Sequence, residues 1–316
     1  MIGSARLPAE RLAAIGRALD AVRSRCDVAA RRASAPVEVD HRYERNDDRE
    51  LAALVAATLA FGNVKALRAK IADALDRLGP ELARTCDDRR SVGRVLAGWK
   101  HRLYTGDDLA ALLVGARRLQ REAGSLGNAF TLAFEREGEL RAALGWFVDQ
   151  IRAGGLARRT TRGARHLLPD PAAGSANKRL MLLLRWMVRP ADGVDLGLWD
   201  VPAARLVVPL DVHIHKLARN LGFTRRPTAD WRAALDVTAH LARLDPKDPV
   251  KYDFSLCHLG MVQRCPSRAD PIRCAGCGVR PVCRHWARTR GPREELAADA
   301  GSFHAASAQT RGDEGP

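Results

Sequence analysis

The sequence predicts an all-α protein. Apolar residues recur at spacings of three and four along most of the chain, strand-like alternation is scarce, and capping residues and glycines punctuate the apolar stretches at helical lengths. An amphipathic helix is expected from the first twenty residues, "MIGSARLPAERLAAIGRALD". "NDDRELAALVAATLAFGN" predicts a helix capped by Asp47 and Asp48, with Leu51, Leu54, Val55 and Leu59 on one face and a stop at Gly62 and Asn63. "GDDLAALLVGARRLQREAG" and "LGNAFTLAFEREGELRAALGWFVDQIRAG" read as further amphipathic helices. In "SANKRLMLLLRWMVRP", Ser175 is a plausible cap, Leu180, Leu183, Leu184 and Met187 form the core stripe, and Pro190 ends the helix. "VVPLDVHIHKLARNLGF" places Asp211 where an extended apolar run becomes a helix with Ile214, Leu217, Ala218 and Leu221 inward and Gly222 as its stop. "PTADWRAALDVTAHLARLDP" and "DPVKYDFSLCHLGMVQRC" close the series, the latter capped by Asp248 with Pro249 in its first turn. Trp186, Trp199 and Trp231 are expected in the core.

At 316 residues the chain can bury a substantial core as one large domain or two lobes. Lys and Arg outnumber Asp and Glu by 52 to 37, a net charge of +15 that favours a polyanionic partner. Only seven of the 52 are lysines, so a lysine is the better candidate for amine chemistry, because Arg does not deprotonate. No run of 18 apolar residues exists, and the start lacks the apolar segment of a secretion signal, so no membrane span and a cytoplasmic location are expected. Residues 287–316 are polar, small and aperiodic, the composition of a disordered tail.

Four of the seven cysteines fall within 19 residues: Cys265, Cys274, Cys277 and Cys283, spaced C-x8-C-x2-C-x5-C. In a cytoplasmic protein this spacing points to metal ligation rather than disulfides. Four thiolates suit tetrahedral zinc or a [4Fe–4S] cube, and the residues alone leave both open. Cys26, Cys86 and Cys257 are isolated and read as buried or incidental.

"CHLGMVQRCPSRADPIRCAGCGVRPVC" resembles the C-terminal iron–sulfur loop of the endonuclease III and adenine-glycosylase branch of the helix-hairpin-helix DNA glycosylases, with two extra residues between the first two cysteines. "VPLDVHIHKLARNLGF" is similar to that family's segment carrying its essential aspartate, here Asp211. "RELAALVAATLAFGNVKAL" resembles its early helix, whose end lies against DNA with a polar residue at the position of Asn63. A bacterial branch of the superfamily is the nearest resemblance. The family's Leu-Pro-Gly-Val-Gly hairpin is absent, and "LLPDPAAGSANKRL" stands in its place. Lys178 heads the following helix, 33 residues before Asp211; archaeal 8-oxoguanine glycosylases also have a longer gap.

The resemblance implies a two-lobed helical glycosylase fold with a four-cysteine loop. Residues 1–48 would join the cluster-bearing lobe at 205–286, residues 49–204 would form the other lobe with the hairpin-like segment and the Lys178 helix, and Lys178 and Asp211 would face each other. The implied activity is excision of a damaged base, with or without strand cleavage. Asp211 would stabilise the cationic sugar, Lys178 would capture C1′, and a [4Fe–4S] cluster, with zinc as alternative, would sit on the four cysteines. The implied partner is lesion-bearing double-stranded DNA, bound by a nucleoid-associated monomer through Asn63, Ser175, Arg179 and His213. Arg185 and Arg189 are further phosphate candidates. The plainer readings stand beside these: Asp211 as a cap, Lys178 as a solvated helix end, and the whole as a non-catalytic nucleic-acid-binding metalloprotein.

Overall fold

The computed structural model describes residues 6–156 and 161–286, and the tail expected over 287–316 lies outside the described residues. The chain runs through α1 (Ala9–Ser24), α2 (Val28–Ser34), α3 (Asn46–Leu59), α4 (Val64–Leu78), α5 (Leu82–Asp87) and α6 (Arg89–Val95). A minimal antiparallel hairpin of β1 (Lys100–His101) and β2 (Tyr104–Thr105) follows. Then come α7 (Gly106–Ala123), α8 (Leu126–Glu137), α9 (Leu140–Ile151), α10 (Arg162–Leu167), α11 (Lys178–Val188), α12 (Val212–Leu221), α13 (Trp231–Ala242) and α14 (Asp253–Cys257). The protein is predominantly helical, as the periodicity predicts.

The sequence suggests one apolar face for α3, but the helix is buried all round. Every residue from Leu51 to Leu59 is buried, and α4, α5, α7, α8 and α11 pack around it. Four alanines (Ala52, Ala53, Ala56, Ala57) permit this, because a helix that is small and apolar on all sides can take neighbours on all sides. The expected caps at Asp47 and Asp48 are corrected by the structure, and among the described residues the one backbone N–H that Asp47 accepts is that of neighbouring Asp48, at 3.1 Å. Arg45 precedes α3 without a side-chain cap, and Asp48 instead accepts the Ala83 N–H of α5 at 2.6 Å.

Glu50 ties α3 to the far side of the core. Its Oε1 accepts from the Gly127 N–H and Trp199 Nε1, and its Oε2 from the Leu126 N–H and Gln120 Nε2, each at 2.8 Å. Two of these donors are first-turn amides of α8 that no intrahelical carbonyl can satisfy. One carboxylate thus caps one helix while belonging to another. Trp186, Trp199 and Trp231 are all buried, as expected.

Two segments read as continuous are interrupted. The stretch over 126–151 breaks at Gly138, whose φ of 66° ends α8 in a left-handed turn. Residues 249–262 form a 3-10 turn capped by Asp248, then α14, then a π turn at His258–Val262. The π turn carries Gly260 against the start of α12, where a Cβ would stand 3.2 Å from the His213 carbonyl oxygen. The chain start folds back onto this region: Ser255 Oγ donates to the Leu19 carbonyl at 2.7 Å, and Arg11 donates to the Val282 carbonyl at 3.2 Å. No helix among the described residues is long and apolar enough to cross a membrane.

Replacing Glu50 with Ala leaves four buried donors without their acceptor. At about 1–3 kcal/mol per unsatisfied buried group, and allowing for non-additivity, urea unfolding should show a loss of about 3 kcal/mol or more. A loss below about 1 kcal/mol would mean that water or a neighbouring group replaces the carboxylate.

Candidate active site and cysteine pocket

The apolar run Leu206–Leu210 is buried, and it delivers Asp211 in extended conformation to the head of α12. One carboxylate oxygen acts as the cap: Oδ1 accepts the His213 and Ile214 N–H groups, both at 2.9 Å. The other oxygen is turned elsewhere, since Oδ2 stands 4.0 Å from Nζ of Lys178. The cap and the approach to Lys178 therefore use different oxygens of the same side chain.

Lys178 is the first residue of α11, and the loop before it sets its position. Pro171–Ala173 forms a 3-10 turn, Gly174 is left-handed at φ 88°, and Asn177 is left-handed at φ 51°. Asn177 Nδ2 donates to the Pro171 carbonyl at 3.0 Å, and Ser175 Oγ accepts the Asn177 N–H at 3.3 Å. The loop is strapped to α13 by the Trp231 N–H, which donates to the Gly174 carbonyl at 3.1 Å. Ser175 is exposed, but its hydroxyl is engaged with Asn177 within this loop. No side chain caps α11, so its first amides are not taken by a side-chain acceptor among the described residues.

The Lys178 side chain is 32% exposed and that of Asp211 16%. A pair this open to solvent contributes about 0–1 kcal/mol, too little for the fold to need it. Burial, then Asp253 and more weakly Asp211, pushes the thiol of Cys257 up to about 11.

The three arginines of α11, candidates for phosphate contact, are spent inside the protein. Arg179 donates to the Thr58 carbonyl at the end of α3 at 2.6 Å, and to the Leu167 and His166 carbonyls at the end of α10. One guanidinium thus serves two helix C-termini, where a cation also meets the favourable end of each dipole. Arg185 and Arg189 are buried, at 5% and 4% exposure, on Asp195, Asp253 and Asp248. His213 is exposed beside Asp211, and Asn63 is exposed with its side chain capping α4 through the Ala66 N–H at 3.1 Å.

Beside Asn63 lies a group the sequence did not single out. Phe61 is 42% exposed, its ring 5.1 Å from that of His166 and beneath the Arg102 guanidinium at 5.2 Å. Tyr104 Oη pairs with His166 Nδ1 at 2.7 Å and accepts from Arg179 at 3.1 Å. Burial, then Arg179, lowers the pKa of His166 and favours its neutral form. The group links the end of α3 to the head of α11 through Arg179. Only the exposed Phe-Gly-Asn order at a helix end could have suggested it.

Cys265, Cys274, Cys277 and Cys283 line one cavity, with Asn220, His285, Arg280 and Trp286 in its wall. Asn220 Nδ2 donates to Cys265 Sγ at 3.4 Å and to the Pro266 carbonyl at 3.1 Å. Burial raises the thiols of Cys265, Cys277 and Cys283. Among the described residues no three His, Cys, Asp or Glu side chains are placed to hold a metal ion. The four sulfurs share a cavity without closing on one point.

A family described as protein of unknown function (DUF2400) matches residues 35–262. The matched span contains Asn63, Ser175, Lys178, Arg179, Asp211 and His213 and ends before the first of the four clustered cysteines. No curated protein matches the chain, and no solved structure does.

The division of labour at Asp211 can be measured. Asn caps helices about as well as Asp, so Asp211→Asn should change unfolding free energy by no more than about 0.3 kcal/mol, whereas Asp211→Ala should cost about 1 kcal/mol. Equal losses in the two variants would assign the structural role to the charge facing Lys178 instead of the cap.

Proposed function

We propose that this chain, which belongs to the DUF2400 family of proteins of unknown function, is a DNA base-excision glycosylase of the helix-hairpin-helix kind. The observation that carries the reading is the approach of Lys178 Nζ to Asp211 Oδ2 at 4.0 Å, with both residues at helix heads. Two groups 33 positions apart in sequence are brought together although the fold gains little from the pair.

In the proposed reaction, Oδ2 faces the positive charge that develops at the sugar as the glycosidic bond breaks and its electron pair leaves with the base. The neutral Lys178 amine bonds to C1′ and loses a proton; the C1′–O4′ bond then breaks, O4′ takes a proton, and the amine becomes a Schiff base to C1′. The 4.0 Å gap is longer than a hydrogen bond, as is common where catalytic contacts tighten only with substrate. The uncapped head of α11 offers amides to a phosphate next to the reacting sugar. Exposed Phe61 and Asn63 lie at the end of α3, which Arg179 ties to that head, and suit contact with an opened duplex. The net charge of +15 favours the same partner.

The four cysteines would hold a [4Fe–4S] cluster, whose contribution is to cross-link the loop over 265–283. Anaerobically purified protein should contain iron and acid-labile sulfide near four per chain, the stoichiometry of the cube. Colourless protein with one zinc would replace the cluster by a single ion.

On an abasic duplex with borohydride, wild-type protein should form a covalent protein–DNA adduct and Lys178→Gln should not. Base release should fall about 100- to 1,000-fold in Asp211→Asn, with duplex affinity little changed. An adduct that persists in Lys178→Gln would move the nucleophile to another amine. Duplex binding with neither adduct nor base release on any lesion would leave a non-catalytic binding protein.

A further inference from the structure

From the second turn of α12 onward, away from the Asp211 end, a cavity of about 540 Å3 opens beside the cysteine loop. Lys216, Arg219, Arg225 and Arg284 line it, together with the hydroxyls of Thr224 and Ser267, and no lining residue is acidic. Arg219, Arg225 and Arg284 are exposed and Lys216 is half-buried, so all four can reach a ligand in the cavity. Neighbouring Arg226 is paired with Asp236 at 3.0 Å, and the same Asp236 oxygen accepts from Thr224 at 3.0 Å. Among the described residues the four lining cations have no such partner. Like charges gathered around one cavity raise its positive potential, which favours a multiply charged anion over water.

We propose that this cavity binds a small molecule carrying two or more linked phosphoryl groups. The volume lies within the range of small-molecule sites and exceeds what a single phosphate fills. Three of the four cations are arginines, whose planar forks grip phosphoryl oxygens two at a time. A nucleic-acid strand presents singly charged phosphates one nucleotide apart, whereas here four cations converge on one hollow. The site stands apart from Lys178 and Asp211, and the proposal does not depend on the glycosylase reading.

The cavity also has a structural consequence. Asn220 and His285 belong to the walls of both this cavity and the cysteine cavity. Asn220 Oδ1 pairs with His285 Nε2 at 2.9 Å, its carbonyl accepts the Arg284 N–H at 2.9 Å, and its Nδ2 reaches Cys265. A polyphosphate held between Arg219 on α12 and Arg284 on the loop bridges the two, and binding to the folded form alone raises the unfolding temperature.

The test uses full-length protein and inorganic pyrophosphate, with sulfate at equal ionic strength as control. Calorimetric titration should give saturable 1:1 binding, and the unfolding temperature should rise with pyrophosphate but not with sulfate. Arg219→Gln combined with Arg284→Gln should weaken binding at least about tenfold, as should Lys216→Gln alone if the double variant does not fold. No binding beyond the sulfate control, or equal binding by wild type and variants, overturns the proposal. Bound pyrophosphate that survives excess duplex DNA supports it. Displacement by duplex that is lost in the same variants would assign these cations to a strand and overturn it.

Discussion

The position of the candidate site depends on a cluster of buried charges at the far end of α11. Arg185 and Arg189, one turn apart, meet Asp195 from the following loop, Asp253 from α14 and Asp248 from the turn before it. Removing one member of such a cluster costs about 3–5 kcal/mol, because it strands an unpaired charge, while exchanging the whole set for apolar residues can be neutral. The cluster therefore acts chiefly as a positioning device. It holds α11 to α14, and α14 packs against α12. Lys178 heads the first of these helices and Asp211 the last. Their separation is set by charges that neither residue touches.

At the other end of α11, Arg179 does the corresponding work. Its donors close the C-termini of α3 and α10, so the helix that presents Lys178 is pinned at its second residue as well as in its last turn. Among the described residues Lys178 has one carboxylate within ion-pair distance, that of Asp211 at 4.0 Å. In a chain with so many cations, the charges that might have crowded the site are drawn into the core or onto helix ends.

Much of this could be read in the sequence, and the failures have physical causes. Periodicity located the helices, and Asp211 as a cap followed from its place between an extended run and an amphipathic helix. Lys178 was legible as one of few lysines at a helix head, but its distance from Asp211 was not, because that distance depends on the cluster of Arg185, Arg189, Asp195 and Asp253. The inward turn of the three α11 arginines was hidden for the same reason: their partners lie as far away as position 253, and a local pattern cannot distinguish a buried arginine from a solvated one. Asp48 looked like a cap because acidic residues favour first turns; the Ala83 N–H across the core claimed it instead. Helix breaks at Gly138 and Gly260 were missed because the periodicity continues through them, and only the left-handed turn and the close approach of α12 reveal why glycine stands there.

The loop before α11 has no double-glycine turn, and its backbone shows how it reverses direction. A loop that reverses direction and starts a helix needs left-handed positions, which glycine adopts at no steric cost. Here Gly174 supplies one at φ 88° and Asn177 another at φ 51°. Asn is among the few other residues that tolerate this region, since its side chain can hydrogen-bond locally. Asn177 does so through the Pro171 carbonyl, and Ser175 takes its N–H. The side chain that would ordinarily cap α11 is thereby turned back into the loop, which leaves the amides beyond it without a side-chain acceptor. The turn is thus made by two left-handed positions, Gly174 and Asn177, and among the described residues the first amides of α11 have no side-chain acceptor.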